Sequence, residues 1–179
     1  MARIKYGEAV KDKVTKVLVE AFTSLGYYAA IEAYKGHTYS HRTHNLHDSY
    51  ASAVYVNGVL VDDSIKFVQR SKSSKNDYRG SRWGYAPNGR TAARYFFENL
   101  DVSNREDYIT IVIAAAMWYA EIVEYNGFVV LDMNEARQYI ANNIDRAIKP
   151  ILSKYNMSNL YPAISKQLGI DRVYYGLEI

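Results

Sequence analysis

"SYASAVYVNGVLVDDSIKFV", residues 49 to 68, decides the fold class. Two β-branched runs, AVYV and VLV, flank Asn57-Gly58. A two-residue turn between antiparallel strands needs positive φ at both central positions, and Asn and Gly adopt it most readily. The stretch predicts a β-hairpin, with "SIKFVQ" (64–69) either extending its second strand or supplying a third. Such a small sheet must bury a face, and the flanking sequence supplies helices to cover it.

Upstream, Val10, Val14, Val17, Leu18, Ala21, Phe22 and Leu25 recur at three- and four-residue spacing. Lys11, Asp12, Lys13, Lys16 and Glu20 fill the rest of the wheel, so Glu8 to about Tyr34 reads as an amphipathic helix. Gly26 is a place for it to end or kink. Otherwise "YYAAIEAY" continues it to Gly36, a C-terminal cap. Downstream, "DYITIVIAAA" (107–116) predicts a buried strand. "MWYAEIVEYNG" (117–127) predicts one or two helical turns closed by Gly127, and "FVVL" a short extended run. A second long helix follows from Asp132 or Asn134, with Ala136, Ile140, Ile144, Ala147 and Ile148 as its apolar stripe. Pro150 is expected to kink or end it. The expected fold is α+β: a small antiparallel sheet packed with a long N-terminal helix and a long C-terminal helix. One domain spans 1–179, with a C-terminal extension of mixed character at 156–179.

The 179 residues are enough to bury a core, and 49% hydrophobic with 23% charged residues is ordinary for a globular chain. The most apolar run, "YITIVIAAAMWYA" (108–120), falls short of a bilayer span and ends against Glu121 and Glu124. "MARIKYGEAVKDK" has no apolar signal core, so Sec-type export is not expected and the expected compartment of assembly is a cytoplasm. Without cysteine there is no disulfide framework, thiolate zinc site or cysteine nucleophile. Tyr dominates the aromatics, at 18 against 5 Phe and 2 Trp, which suits interfaces as well as cores.

Charge is unevenly placed. Residues 68–100 read as a long polar loop inserted between strands, with "TAARYFFENL" (91–100) a short helical piece inside it. From Arg70 to Arg94 the chain carries Arg70, Lys72, Lys75, Arg79, Arg82, Arg90 and Arg94 against Asp77 alone, a net +6. The whole chain is +3, so the remainder is net acidic. Interleaving with Tyr78, Trp83, Tyr85 and Tyr95 is the composition of a nucleic-acid patch. It also suits a protein interface anchored by Arg and aromatics, or a solvated loop. An acidic remainder facing a basic segment makes head-to-tail self-association physically reasonable.

All four histidines, His37, His41, His44 and His47, lie in "HTYSHRTHNLHDSY". On one helix, the first three would fall within about 60° of each other. Gly36 and the polar residues disfavour a helix there, and Asp48 is the nearest carboxylate. Glu121 and Glu124 form an acid pair or one solvated edge of a turn. There is no G-x-S-x-G elbow and no phosphate-binding glycine loop. No catalytic, cofactor-binding or metal residue is assigned.

Two segments carry a resemblance. "THNLHDSY" (43–50) leads into the first strand, and "WYAEIVEYNG" (118–127) precedes the last long helix. The pair resembles the HK97 gp10-like family of phage neck and tail-completion proteins. Thr43, Asn45, Leu46 and Ser49 match the first family motif, and Tyr119, Ala120, Val123, Glu124 and Gly127 the second. His44 and His47 replace the family's usual glycine and arginine, and Gly127 lies one position late. The resemblance implies a structural virion protein without enzymatic activity or cofactor. It would form a homo-oligomeric ring at the head–tail junction, against portal-side and tail proteins, with DNA passing through the lumen. Two other classes stay open: a nucleic-acid-binding module using Arg70 to Arg94, with Trp83, and a histidine-ligated metalloenzyme.

Overall fold

β1 (Tyr50–Val56) is the central strand of a four-stranded antiparallel sheet. In the computed structural model, which describes residues 8–39, 45–69, 88–102, 109–117 and 120–165, β4 (Ile109–Ala115) pairs along its whole length, from Tyr50↔Ala115 to Val56↔Ile109. The other edge of β1 is shared by two short strands. β2 (Val59–Leu60) pairs at Val56↔Val59 and Tyr55↔Leu60, and β3 (Lys66–Phe67) at Ser52↔Lys66 and Ala51↔Phe67. The hairpin turn is as expected, with Asn57 at φ 53° and Gly58 at φ 80°. Between β2 and β3 the chain leaves the ladder, and a side chain fills the gap. Ser64 Oγ accepts from the Val54 amide at 3.0 Å and donates to the Val54 carbonyl at 3.1 Å. "SIKFVQ" therefore supplies a separate strand on the edge that β2 began.

α1 (Glu8–Lys35) runs unbroken through Gly26. A Cβ on Gly26 would sit 2.8 Å from Ile111 Cγ2 and 3.2 Å from Ser52 Oγ. The glycine is thus where helix and sheet touch, not where the helix bends. Gly36 follows the last helical residue, but it does not take the left-handed conformation of a glycine cap. Its lack of a side chain admits Asp132, whose Cβ would lie 2.3 Å from an added methyl group.

The sheet has helices on both faces. Tyr50, Ile113 and Ala115 bury themselves with Ala29, Ala30 and Ala33 of α1. Val54 joins Val17, Ala21 and Leu25 of α1, together with Ile148 and Leu152 of α5 (Met133–Lys154), which lies along α1. On the other face, Ala51, Ala53, Val112 and Ala114 receive α3 (Gly89–Asn99) through Ala93, Phe96 and Phe97. Small residues on this face let the Phe rings seat fully, and each buried ring contributes roughly 1.5–3 kcal/mol. The helical piece expected at 91–100 is α3, a capped and docked helix over Gly89–Asn99, while residues 70–87 of the expected loop lie outside the described residues. Asn88 Oδ1 accepts from the Thr91 amide at 2.9 Å, and Tyr55 Oη donates to the Phe97 carbonyl at 2.6 Å.

Two further expectations change. Residues expected to be non-helical form one turn, α2 (Asn45–Asp48), just before β1. It is closed by the Ser49 amide and Oγ, which both donate to the Leu46 carbonyl, at 3.1 and 2.7 Å. Pro150 does not end α5, which continues to Lys154. Its last turn is fastened from outside: Leu152 is fully buried, and Lys154 Nζ and Tyr155 Oη donate to Glu20 at 2.9 and 3.0 Å. Asp132 is the N-cap of α5, accepting from the Asn134 and Glu135 amides. α4 (Ala120–Tyr125) is the expected short helix, and Gly127 follows it at φ +84°. Residues 128–131 run outside the sheet, tied by the Thr38 amide donating to the Val129 carbonyl at 3.0 Å. A 3-10 turn (Ser158–Leu160) and α6 (Tyr161–Ser165) follow α5.

Candidate functional site

The two motif segments converge on one core. Leu46 of α2, and Ala120 and Val123 of α4, pack in the cluster that holds Ala33, Tyr50 and Val130. Asn45 and Ser49 are buried beside them. Thr43 and Tyr119 lie outside the described residues. Gly127 has open space where a side chain would go, so its glycine serves the backbone angle alone. Glu124 is half-buried, and desolvation raises its carboxyl above the usual carboxylate range.

Tyrosine and imidazole rings fill the junction between these segments. Tyr34 stacks on His37 at 4.5 Å and meets His47 and Tyr50 edge-on at 4.6 and 5.0 Å. Tyr39 Oη donates to Tyr50 Oη at 2.9 Å, and Tyr50 Oη donates onward to the Val130 carbonyl. Burial pushes the Tyr50 phenol far above its ordinary value, so it stays a neutral donor. His37 Nδ1 lies 2.6 Å from the Tyr34 carbonyl, an acceptor, which puts the proton on Nδ1. His47 and Asp48 are both buried, 3.2 Å apart. His41 and His44 lie outside the described residues, and among those described no three His, Asp or Glu side chains converge as metal ligands. The two described histidines serve ring packing and capping.

Outside this core sits a surface strip that was not legible in the sequence. Ile122 is 52% exposed, Tyr125 91%, Phe128 46% and Val129 37%. Four large apolar side chains within eight residues, around the positive-φ turn at Gly127, stand exposed, and a local concentration of exposed apolar residues is what marks interaction surfaces. One signal was available: neighbouring Glu121, Glu124, Asp132 and Glu135, with no Lys or Arg from 120 to 136. An apolar patch in an acidic frame differs from ordinary core spacing.

Of the basic residues, Arg70, Lys72, Lys75, Arg79, Arg82 and Trp83 lie outside the described residues. Arg90 and Arg94 sit one helical turn apart on α3, both exposed, next to Tyr95 at 65% exposure. The Arg90 guanidinium lies 5.4 Å from the centre of the Phe67 ring. Beside it, an open groove of about 490 Å³ between α1 and β3 is lined by Glu20, Thr23, Ser24, Tyr27, Lys66 and Arg90. Glu20 there is lowered by the hydrogen bonds from Lys154 and Tyr155. The carboxylate is therefore committed to holding α5 against α1. No helix among the described residues is long and apolar enough to cross a membrane.

Compared with protein-family models, curated proteins and solved structures, the chain shows no match in any of the three.

Proposed function

We propose that this chain is a structural virion protein of a tailed bacteriophage, working as a homo-oligomeric ring at the head–tail junction. The reading assigns it no enzymatic activity and no cofactor. Its partners are further copies of itself and the neighbouring portal-side and tail proteins, with DNA passing through the lumen. It assembles in the host bacterial cytoplasm.

The observation that carries this reading is the exposed strip Ile122, Tyr125, Phe128 and Val129. It grows from the same segment that supplies the second motif, Ala120, Val123, Glu124 and Gly127, and the first motif braces that segment from beneath through Leu46. In this reading the motif residues are a scaffold, and the exposed residues between them make the contact. Mass determination in solution, with imaging of the purified protein, tests it. A defined oligomer with ring outlines is expected; a monomer that neither self-associates nor binds a connector protein would overturn it.

A second reading, a nucleic-acid-binding module, is favoured by exposed Arg90, Arg94 and Tyr95 on one helix. It predicts affinity that falls steeply with salt and is lost when both arginines become Ala. Undetectable or salt-independent binding would remove it.

A further inference from the structure

We infer that the strip on α4 and the Gly127 turn docks the basic outer face of α3 from a second copy of this chain. The inference rests on the self-assembly reading and specifies which two surfaces meet.

The strip needs a partner with apolar reach and positive charge. Ile122, Tyr125, Phe128 and Val129 are exposed. Residues 120–136 around them carry four carboxylates and no base. Glu124 already suffers from desolvation, so a cation approaching it would relieve a cost that the isolated subunit bears. The outer face of α3 carries a net positive charge: Arg90 and Arg94 are exposed one turn apart against a single exposed Glu98, Arg90 lies over the Phe67 ring, and the Tyr95 ring stands 65% free. Arginine and tyrosine are the side chains most often found as interface anchors.

Position makes the contact intermolecular. α3 covers the sheet face built from Ala51, Ala53, Val112 and Ala114. α4 and residues 130–131 pack with α1 on the opposite face, around Tyr50 and Ala115. Although Ala92 of α3 reaches the cluster that holds Ala120 and Val123, Tyr125 and Tyr95 both stand exposed in the single chain, so a contact between the two outer surfaces joins two copies. A contact that joins two different surfaces is heterologous, and repeating it generates a closed ring or an open filament. Opposite charge would also guide approach and set orientation, so association should weaken as salt rises.

The chain has no cysteine, which makes crosslinking a clean test. Tyr125→Cys and Arg94→Cys both replace exposed side chains, so neither disturbs the core. Under oxidising conditions, a mixture of the two single variants is expected to give a disulfide-linked pair that neither gives alone. The doubly substituted chain should give a ladder of covalent oligomers. Separately, Arg90→Glu with Arg94→Glu should weaken self-association by about tenfold or more. Tyr125→Cys crosslinking to itself would mean a two-fold interface and overturn the head-to-tail pairing. Oligomers of defined mass without a 94–125 bridge would overturn the pairing while leaving the ring reading intact. A chain that stays monomeric at every concentration, with or without connector proteins, would overturn both.

Discussion

Gly89 lies so close to Asn45 that a methyl group on Gly89 would fall 2.0 Å from the Asn45 carbonyl oxygen and 2.6 Å from the Ser49 amide nitrogen. The first turn of α3 is thereby seated on α2, and the end of the basic segment is fixed to the first motif. Backbone cannot retreat as a flexible side chain can. Gly89→Ala is therefore expected to destabilise the fold by about 1–3 kcal/mol, the range for overpacking. Urea unfolding followed by circular dichroism measures it, and an unchanged midpoint would mean that α3 does not sit where described.

Tyr50 is the polar pin of the core, accepting from Tyr39 and donating to the Val130 carbonyl. Tyr50→Phe keeps the ring packing and removes the hydroxyl. A loss of roughly 1–2 kcal/mol is expected, typical of a buried hydrogen bond left without its donor. Because Val130 adjoins the exposed strip, hydrogen exchange at 128–131 should quicken more than at β4. Equal protection at both sites would refute the pinning role.

Gly127 and Gly26 need their missing side chain for different reasons, and alanine separates them. At Gly127 there is room for a methyl group, but φ is +84°, so Gly127→Ala should cost about 1–2 kcal/mol through backbone strain alone. An Asn there, which tolerates that region better, should recover part of the loss. At Gly26 the added methyl would meet Ile111, and Asn should be worse than Ala. Thermal melts of the four variants would show the two opposite orders.

Glu124 gives a pH signature. Burial raises its carboxyl above the ordinary 4.5, so the folded chain holds that proton after the unfolded chain has lost it. Folding stability from this group therefore falls as pH rises from the ordinary value through the raised one, and the penalty stays constant above both. Glu124→Gln has no such penalty. It should melt higher than the parent at neutral pH, with the difference vanishing in acid, measured at concentrations where the chain is monomeric. A difference independent of pH would contradict the assignment.

What was legible in the sequence was local. Asn57-Gly58 announced the hairpin, the spacing of Val10 to Leu25 announced α1, and the pair Asp132 and Asn134 announced the start of α5, of which Asp132 is the cap, because turn chemistry and periodicity act over a few residues. Ala93, Phe96 and Phe97 also stand at helical spacing, and the short helix around them proved to be a docked layer of the fold. Tertiary causes were hidden. Gly26 looked like a helix breaker because Ile111 and Ser52, its reason for being glycine, lie far along the chain. Pro150 looked like a terminus because nothing nearby shows that Glu20 holds the following turn. The histidines suggested a metal in isolation; two of them prove to pack against Tyr34, whose proximity only the fold creates. The exposed strip was least legible, since Ile122, Tyr125, Phe128 and Val129 have the composition of core until their exposure is known.

The central claim is that these surfaces exist to join copies of the chain, and the most direct measurement is the mass of the purified protein across concentration, paired with particle images. Closed rings of one subunit number are predicted, lost in a Tyr125→Ser, Phe128→Ser variant that still melts cooperatively. Monomers at all concentrations that also ignore portal-side and tail proteins, or rings that survive both substitutions unchanged, would contradict the account.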